Sequence, residues 1–441
     1  MKLHIILFVI TLFAGHLLFA QEDTTAVLSL DDAISTGLKN NYQIQISEAD
    51  VQIAENNNTA GNAGMLPTVT AGVYQGNRFD NTESQVTAGE RDDVLSNSLR
   101  PNANVQMILF NGFRIRTVKK NLALSEKSAE LSMRLTFENT LSEIINAYYG
   151  VQLEYEKLEV MKELTQLSKD RYQYVLARKE IGTAVTYDVL QVKNAFLQDS
   201  SNYLSQKSAY KTSKRRLSIA LGDTSFTDFT LTDSLQATEQ SFEFSELNNQ
   251  LLQKNTSLQL SRLSNELSEN SLKIAQSSLY PSLSLNGGTD YTKSWVKYND
   301  RDYTDSYSYD FYANLSLSYT IFNGGNRTRQ ITNARIEKRQ SELQTQDLQL
   351  TLKSSLYALY DMYEVRKQIL RVSKENLEAA KLNLEISKDK FNRGAINSFN
   401  YRDVQINYIN AAYSNLQAEY SLIAVSTDLL KITGNLVQGE E

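Results

Sequence analysis

The 441-residue sequence has no cysteine, three prolines, one tryptophan and two histidines, and both histidines, His4 and His16, fall in its first twenty residues. Each scarcity removes a class of function. Without cysteine there is no disulfide framework, no thiolate metal site, no Cys nucleophile and no lipid-bearing N-terminal cysteine. Without histidine after residue 16 the chain lacks the usual general base near neutral pH and the commonest zinc ligand. Catalysis would rest on carboxylates, Lys, Tyr or Ser alone, and no phosphate-binding loop or catalytic constellation is present. The expectation is a protein that is not an enzyme and uses no cofactor or metal. No stretch beyond the N-terminus reaches the ~18 apolar residues of a membrane-spanning helix, so any entry into a membrane must be as strands. Acidic residues outnumber basic ones, 51 to 45. Lys119-Lys120 and Lys214-Arg215-Arg216 therefore read as solvated faces of amphipathic helices, and nucleic acid is not expected as a partner.

Residues 1–20 have the order of a secretory signal: Lys2, an apolar run from Ile5 to Ala14, then Leu17-Leu18-Phe19-Ala20 before the cut. The rest of the sequence contains itself twice. Phe110-Asn111-Gly112 recurs as Phe322-Asn323-Gly324, a shift of 322 − 110 = 212, and Gly182 and Gly222 recur at the same shift as Gly394 and Gly434. Leu66-Pro67 recurs as Tyr280-Pro281, and Asn41 as Asn255. Matching order at near-constant spacing predicts two copies of one unit, 28–222 and 244–434, joined by the Thr/Ser/Asp-rich residues 223–243 and followed by a tail at 435–441.

Each unit passes through three textures. Residues 30–65 and 245–279 are polar and helix-compatible, and they stop at Pro67 or Pro281 because the residue ahead of a proline is pushed out of the α region. Alternation follows. From Phe311 the odd positions read Phe311, Ala313, Leu315, Leu317, Tyr319 and Ile321, against Tyr312, Asn314, Ser316, Ser318 and Thr320 at the even ones: one apolar and one polar face. Similar alternation places strands at about 67–77, 101–110, 281–291 and 307–321, with polar loops expected at 79–100 and 292–306. Trp295, Tyr298, Tyr303, Tyr307 and Tyr309 crowd the second loop and its strand, where an aromatic belt would meet a bilayer interface. Packing in an ordinary half-buried sheet is the alternative. Asp300 to Asp305 has oxygen ligands at alternate positions but lacks the central Gly and terminal Glu of a calcium loop, and reads as solvated surface.

The third texture is long helix, expected at 113–180, 184–221, 325–392 and 396–433. At ~1.5 Å per residue the first would run ~100 Å. One heptad row reads Ile144, Val151, Leu158, Thr165, Tyr172, with a counterpart at Leu356, Tyr363, Leu370, Leu377, Leu384. A second reads Leu153, Val160, Leu167, Tyr174, Ile181, with a counterpart at Val365, Val372, Ala379, Ile386, Arg393. The rows lie about 200° apart around a helix, which gives it neighbours on both sides, as staves have in a tube wall. A plain antiparallel bundle accounts for the helices but not for the doubled seam or the strands. Four strands cannot close a barrel alone, and open edges in lipid cost several kcal/mol per unpaired group. The chain must oligomerise to enter a membrane; three copies would give twelve strands.

In this order of features the sequence resembles the TolC-type outer-membrane efflux proteins over nearly all of the chain after the signal. The resemblance is carried by Leu28 to Ile34 with Asn40-Asn41 after it, by Leu66-Pro67 and Tyr280-Pro281, by the two Phe-Asn-Gly turns, and by Gly182 to Asp188 with the closing Leu221-Gly222. It implies a fold that is mainly α with membrane β. Long antiparallel helical hairpins form a trimeric α-barrel in the periplasm, and four strands per chain contribute to a shared twelve-stranded β-barrel in outer-membrane lipid. It further implies a homotrimer whose tips dock on a periplasmic adaptor, a membrane fusion protein, coupled to an inner-membrane pump of RND or ABC type. The expected role is a passive exit duct for small solutes such as drugs. Type I protein secretion and a non-pore structural coiled coil are the alternatives.

The resemblance also assigns candidate sites. Adaptor docking falls on Arg178, Gly182, Asp188 and Gly394. In relatives an Asp six residues after the first tip Gly is tied to an Arg two after the second tip Gly and to a Tyr three before it. Here Asp188 is kept, while Ile396 and Phe391 occupy the partner positions. Of an inward ring of two aspartates six and nine after the second Gly, Asn400 replaces the first and Asp403 remains. The constriction is therefore expected to rely on packing of Phe391, Ile396 and Phe399, with Arg393 and Arg402 as substitute partners for Asp188. A solvated Asp188 favoured by the helix dipole is the alternative.

Overall fold

The computed structural model describes residues 26–83, 91–223, 228–299 and 301–437. The expected signal segment and Asp300 lie outside them. The fold is mainly helical with two small sheets. In chain order the elements are β1 (Ala26–Leu28), α1 (Leu30–Asn40), α2 (Tyr42–Asn57), β2 (Thr68–Glu83), β3 (Arg91–Asn111), α3 (Arg114–Glu180), α4 (Thr186–Ala220) and β4 (Phe229–Leu231). There follow α5 (Phe244–Lys254), α6 (Thr256–Ser277), β5 (Ser282–Tyr298), β6 (Thr304–Ser318), α7 (Asn326–Asn392) and α8 (Ser398–Ile432). α3 and α7 have 67 residues each, and α4 and α8 have 35 each. Two compact units divide the chain. One draws on Met1–Asn41, Thr140–Gln240 and Met362–Thr427, the other on Tyr42–Asn139, Ser241–Asp361 and Asp428–Glu441.

In the first unit, α1 starts on Ser29, whose hydroxyl accepts from Asp32 N at 3.1 Å. It stops at Asn41, whose backbone is extended and whose Nδ2 donates to the Ala220 carbonyl at 3.1 Å, satisfying an end of α4. Gly222 turns the chain there with φ 68°, and a Cβ at that position would stand 2.6 Å from the Asn40 carbonyl. The second unit repeats the device: Asn255 Nδ2 donates to Ile432 O at 2.9 Å, and a Cβ on Gly434 (φ 71°) would stand 2.6 Å from Lys254 O. The Asn and Gly motifs of the sequence are thus the two sides of one contact that only glycine admits. The Phe-Asn-Gly motifs cap the long helices, since Asn111 Oδ1 accepts from Ile115 N at 3.2 Å and Asn323 Oδ1 from Arg327 N at 3.3 Å.

The first heptad row lies in the core. Ile144, Val151 and Leu158 are buried in the first unit, as are Tyr363, Leu370 and Leu384. The described part of 223–243 does not hang free. Asp233 accepts from Leu30 N at 2.9 Å and from the Tyr148 hydroxyl, and burial, with that carboxylate, pushes the Tyr148 pKa upward. Glu419 accepts from Ala237 N at 2.7 Å and pairs with Lys374 at 2.9 Å.

The second unit holds an antiparallel sheet of order β2-β3-β5-β6. Its strands correct the expected bounds, because 79–83, 91–100, 292–298 and 304–306 are strand, while β6 ends at Ser318, short of the expected 321. These segments carry polar residues on both faces, as in the pairs Asn77↔Asn97, Arg78↔Ser96 and Ser294↔Ser306. Backbone pairing holds them, and side-chain alternation marks them only in places such as Phe79↔Leu95.

Candidate functional site

The register sorts the sheet into two faces. On one, directly opposed residues are Leu283↔Leu317, Leu285↔Leu315, Gly287↔Ala313 and Tyr291↔Tyr309, continuing through Val69↔Val105 and Ala71↔Ala103 to the other edge. The opposite face reads Ser284↔Ser316, Asn286↔Asn314 and Gln106↔Asn286, then Thr70↔Asn104. The apolar face is open to its surroundings: Val69, Val73, Phe79, Tyr309, Phe311 and Leu317 are all exposed. Tyr307, Tyr309 and Tyr291 cluster on it with centroids 4.7 to 6.4 Å apart, at the level of Trp295 and Lys293. Such a face is costly in water and suits hydrocarbon flanked by an aromatic girdle. On the polar face Tyr312 reaches across β5 to donate its hydroxyl to Asn104 Oδ1 at 2.6 Å. Gly288 makes room, since a Cβ there would meet the Tyr312 hydroxyl at 2.8 Å. β2 and β6 each have one unpaired edge within the chain. Among the described residues no helix is long and apolar enough to cross a membrane.

The first unit holds the two tips. After α3 the chain reverses at Gly182, with φ 79°; Thr183 N donates to Arg178 O at 2.8 Å and Gly182 N to Lys179 O at 3.0 Å. After α7 the same pattern forms at Gly394 (φ 74°), with Ala395 N to Lys390 O at 2.8 Å. Arg178 braces the first turn, with Nε 3.3 Å from Thr183 Oγ1 and its guanidinium over Tyr174. Among the described residues, the adjoining ones aside, no atom lies within 4 Å of a Cβ built on either tip glycine. A side chain there strains the turn but meets no wall. Gly182→Trp or Gly394→Trp should therefore leave the protein folded in the membrane and, on the expectation that the tips are the docking surface, abolish export, because the bulk changes the surface presented by the tip. Drug susceptibility beside quantitation of the membrane-inserted protein checks this, and normal export in both variants would count against the tips as a docking surface.

The structure separates the residues expected at the constriction. Asp188 sits in the first turn of α4, where its carboxylate accepts from Val185 N at 3.3 Å, favoured by the helix dipole. Phe391 is 5% exposed. It stacks on Tyr401 at 4.8 Å and meets Tyr174 at 4.9 Å, within a core that includes Val175, Val189 and Leu384 and against which Ile396 packs. Phe391 thus closes the core of the tip within the chain. Phe399, Asn400 and Asp403 are exposed on the first turns of α8. Asn397 caps that helix, its Oδ1 accepting from Phe399 N at 3.1 Å and Asn400 N at 2.9 Å.

Arg402, expected as a partner for Asp188, is engaged elsewhere. It forks onto Asp199, Nη1 to Oδ2 at 2.6 Å and Nη2 to Oδ1 at 2.7 Å, with Nη1 also 3.2 Å from Ser168 Oγ. Asp199 is 1% exposed and also accepts from the Ser168 hydroxyl. α3, α4 and α8 are therefore tied at one buried point. The sequence reading missed Asp199 and Ser168, although a signal existed. Asp199 falls between Phe196 and Tyr203 at the third position of a seven-residue spacing, and Ser168 and Arg171 continue the stripe of Leu164 and Val175.

The sequence profile described as outer membrane efflux protein matches residues 33–223 and again residues 247–435. Among curated proteins nothing matches. The fold is similar to that of the CmeC outer membrane channel of Campylobacter jejuni, with TM-score 0.78 and 16% identity over 92% of this chain and 86% of that one. It is also similar to the outer membrane protein VceC of Vibrio cholerae (TM-score 0.72, 14% identity, 92% and 96% covered). The MtrE outer membrane channel of Neisseria gonorrhoeae, solved in its open state, matches at TM-score 0.72 and 13% identity over 92% and 89%. At such identities the structures speak for the fold, whereas the profile spans most of the sequence. The chain belongs to the outer membrane efflux protein family.

Proposed function

We propose that the protein is the outer-membrane exit duct of a tripartite efflux system, a homotrimer through which small solutes such as drugs pass without energy input from the duct itself. The four-stranded sheet with one apolar face, one polar face and two unpaired edges carries this reading. In lipid such edges must be paired, and three copies supply twelve strands, a closed barrel with lipid outside and a wet lumen inside. The helices support the same assembly. On α7 Val365, Val372 and Ile386, and on α4 Leu190, Leu197 and Leu204, form exposed apolar rows at heptad spacing, as a helix has when its second neighbour is another chain. The double match of the family profile and the equal helix lengths favour two copies of one unit, 28–222 and 244–434, joined by 223–243.

The helical part extends into the periplasm. The turns around Arg178, Gly182, Asp188 and Gly394 meet a periplasmic adaptor, which links the duct to an inner-membrane pump of RND or ABC type. The energy comes from that pump. Asn400 and Asp403, exposed at the start of α8, line the constriction, while Phe391 and Ile396 act behind them by holding the tip together. Asp403→Asn should then lower the preference of the open pore for cations, since each of the three protomers loses a ring carboxylate. Reversal potentials in asymmetric salt measure it, and an unchanged permeability ratio would place Asp403 away from the ion path. Conductance of the purified protein in a planar bilayer, with its mass in detergent, tests the function itself. A non-conducting monomer would defeat it.

A further inference from the structure

The brace of Asp199 and Arg402 leaves a charge unanswered. Arg171, three residues after Ser168 on α3, is 2% exposed, and its Nε and Nη1 have no partner among the described residues. Burial first, then the neighbouring Arg402 guanidinium, pulls the Arg171 pKa down to about 10 against the attraction of Asp199. Both oxygens of Asp199 are already taken by Arg402. Two guanidiniums therefore share one carboxylate, and a buried cation without a counter-charge is costly enough that proteins rarely leave one. Arg171 and Arg402 together line a cavity of about 60 Å³, walled also by Asp188, Val192, Ser398 and Phe399. Ser398 opens the 35-residue α8, whose amino end carries partial positive charge, although Asn397 Oδ1 already takes the Phe399 and Asn400 N–H groups there. Asp188, the one acidic wall residue, has its carboxylate turned to Val185 N. Arg171, Arg402 and Asp199 sum to a single positive unit, which the Asp188 carboxylate across the cavity would cancel only by leaving Val185 N, and the space holds an ion of a few ångströms with little of its water.

We propose that this cavity binds a small monovalent inorganic anion, chloride among them, between the Arg171 guanidinium and the first turn of α8. The bound ion completes the Arg171–Asp199–Arg402 cluster and ties the second tip to α3. Because it binds the closed packing and not the locally opened one, the population of the open form falls as the anion concentration rises.

The test uses the purified full-length protein in detergent, with sodium chloride compared against sodium gluconate at equal ionic strength. Amide exchange at residues 168–174 and 398–404 should slow about tenfold for each tenfold rise in chloride above the dissociation constant, as one site requires. Arg171→Met should remove the dependence, and crystals soaked in sodium bromide should show an anomalous peak against the Arg171 guanidinium. Equal exchange in chloride and gluconate would overturn the proposal, as would a chloride dependence that persists in Arg171→Met. So would a structure with a carboxylate on Arg171, from Asp188 or from a neighbouring copy. A bromide peak without chloride-dependent exchange would mean binding at crystal concentration only and would also overturn it. If Arg171→Met fails to fold, the wild-type exchange and the bromide map decide.

Discussion

Asp199→Ala should destabilise the packing of α3, α4 and α8 by about 3–5 kcal/mol, the usual cost of stripping one partner from a buried ion pair. The reason is geometric. Asp199 is the carboxylate that Arg402 grips with both terminal nitrogens, and it also receives the Ser168 hydroxyl. Alanine would leave Arg402 and Arg171 side by side in a buried place with no negative charge between them. Asp199→Leu combined with Arg402→Met should recover most of the loss, because apolar groups of similar volume replace a buried pair at little or no cost. Arg402→Met alone should cost less than Asp199→Ala, since Arg171 remains within electrostatic reach of Asp199. Amide exchange across residues 195–203 and 398–405 measures all three. A loss under about 1 kcal/mol in Asp199→Ala would show that water reaches the cluster and that the pair acts as a surface one.

What the sequence discloses about this fold follows from which forces write themselves in residue types. Helix ends are legible because Asn255 and Gly434, or Asn41 and Gly222, do jobs that few residues can do. The membrane face is legible because Leu315 and Leu317 alternate with Ser316 and Ser318. The outer stretches of β3 and β5 are not, since one face there is polar, the other mixes Leu95, Leu99 and Trp295 with Asn97, Lys293 and Lys297, and the pairing is made by backbone groups that every residue carries. The tip shows the same divide. Its glycines announce the reversals, whereas the partner of Arg402 could not be chosen from sequence. Asp188 and Asp199 are both carboxylates on α4, and only the rotation of that helix decides that the second points inward. Phe391 shows the limit from the other side: its ring type announces packing, but the sequence does not name the rings of Tyr401 and Tyr174 as what it packs on.

The exposed rows on α4 and α7 carry the other large effect. Val372 is 67% exposed and Leu197 53% in the single chain, yet both sit at seven-residue spacing among other apolar residues, a pattern that water alone gives no reason to keep. Burying a valine or leucine fully is worth about 1.5–3 kcal/mol. In the proposed trimer, a ring built from one repeated contact buries each such row three times, once at each junction between copies. Val372→Glu would instead place an unpaired carboxylate in all three junctions, and the penalty is likewise met three times. The variant should fall from trimer to monomer in detergent and lose single-channel conductance, while helical content by circular dichroism stays unchanged. Val372→Leu, which keeps the apolar contact, should remain trimeric and conducting. A conducting Val372→Glu trimer would mean that this row faces water and that the copies meet along another side of the helices, with the row at Leu190, Leu197 and Leu204 as the next place to set a charge.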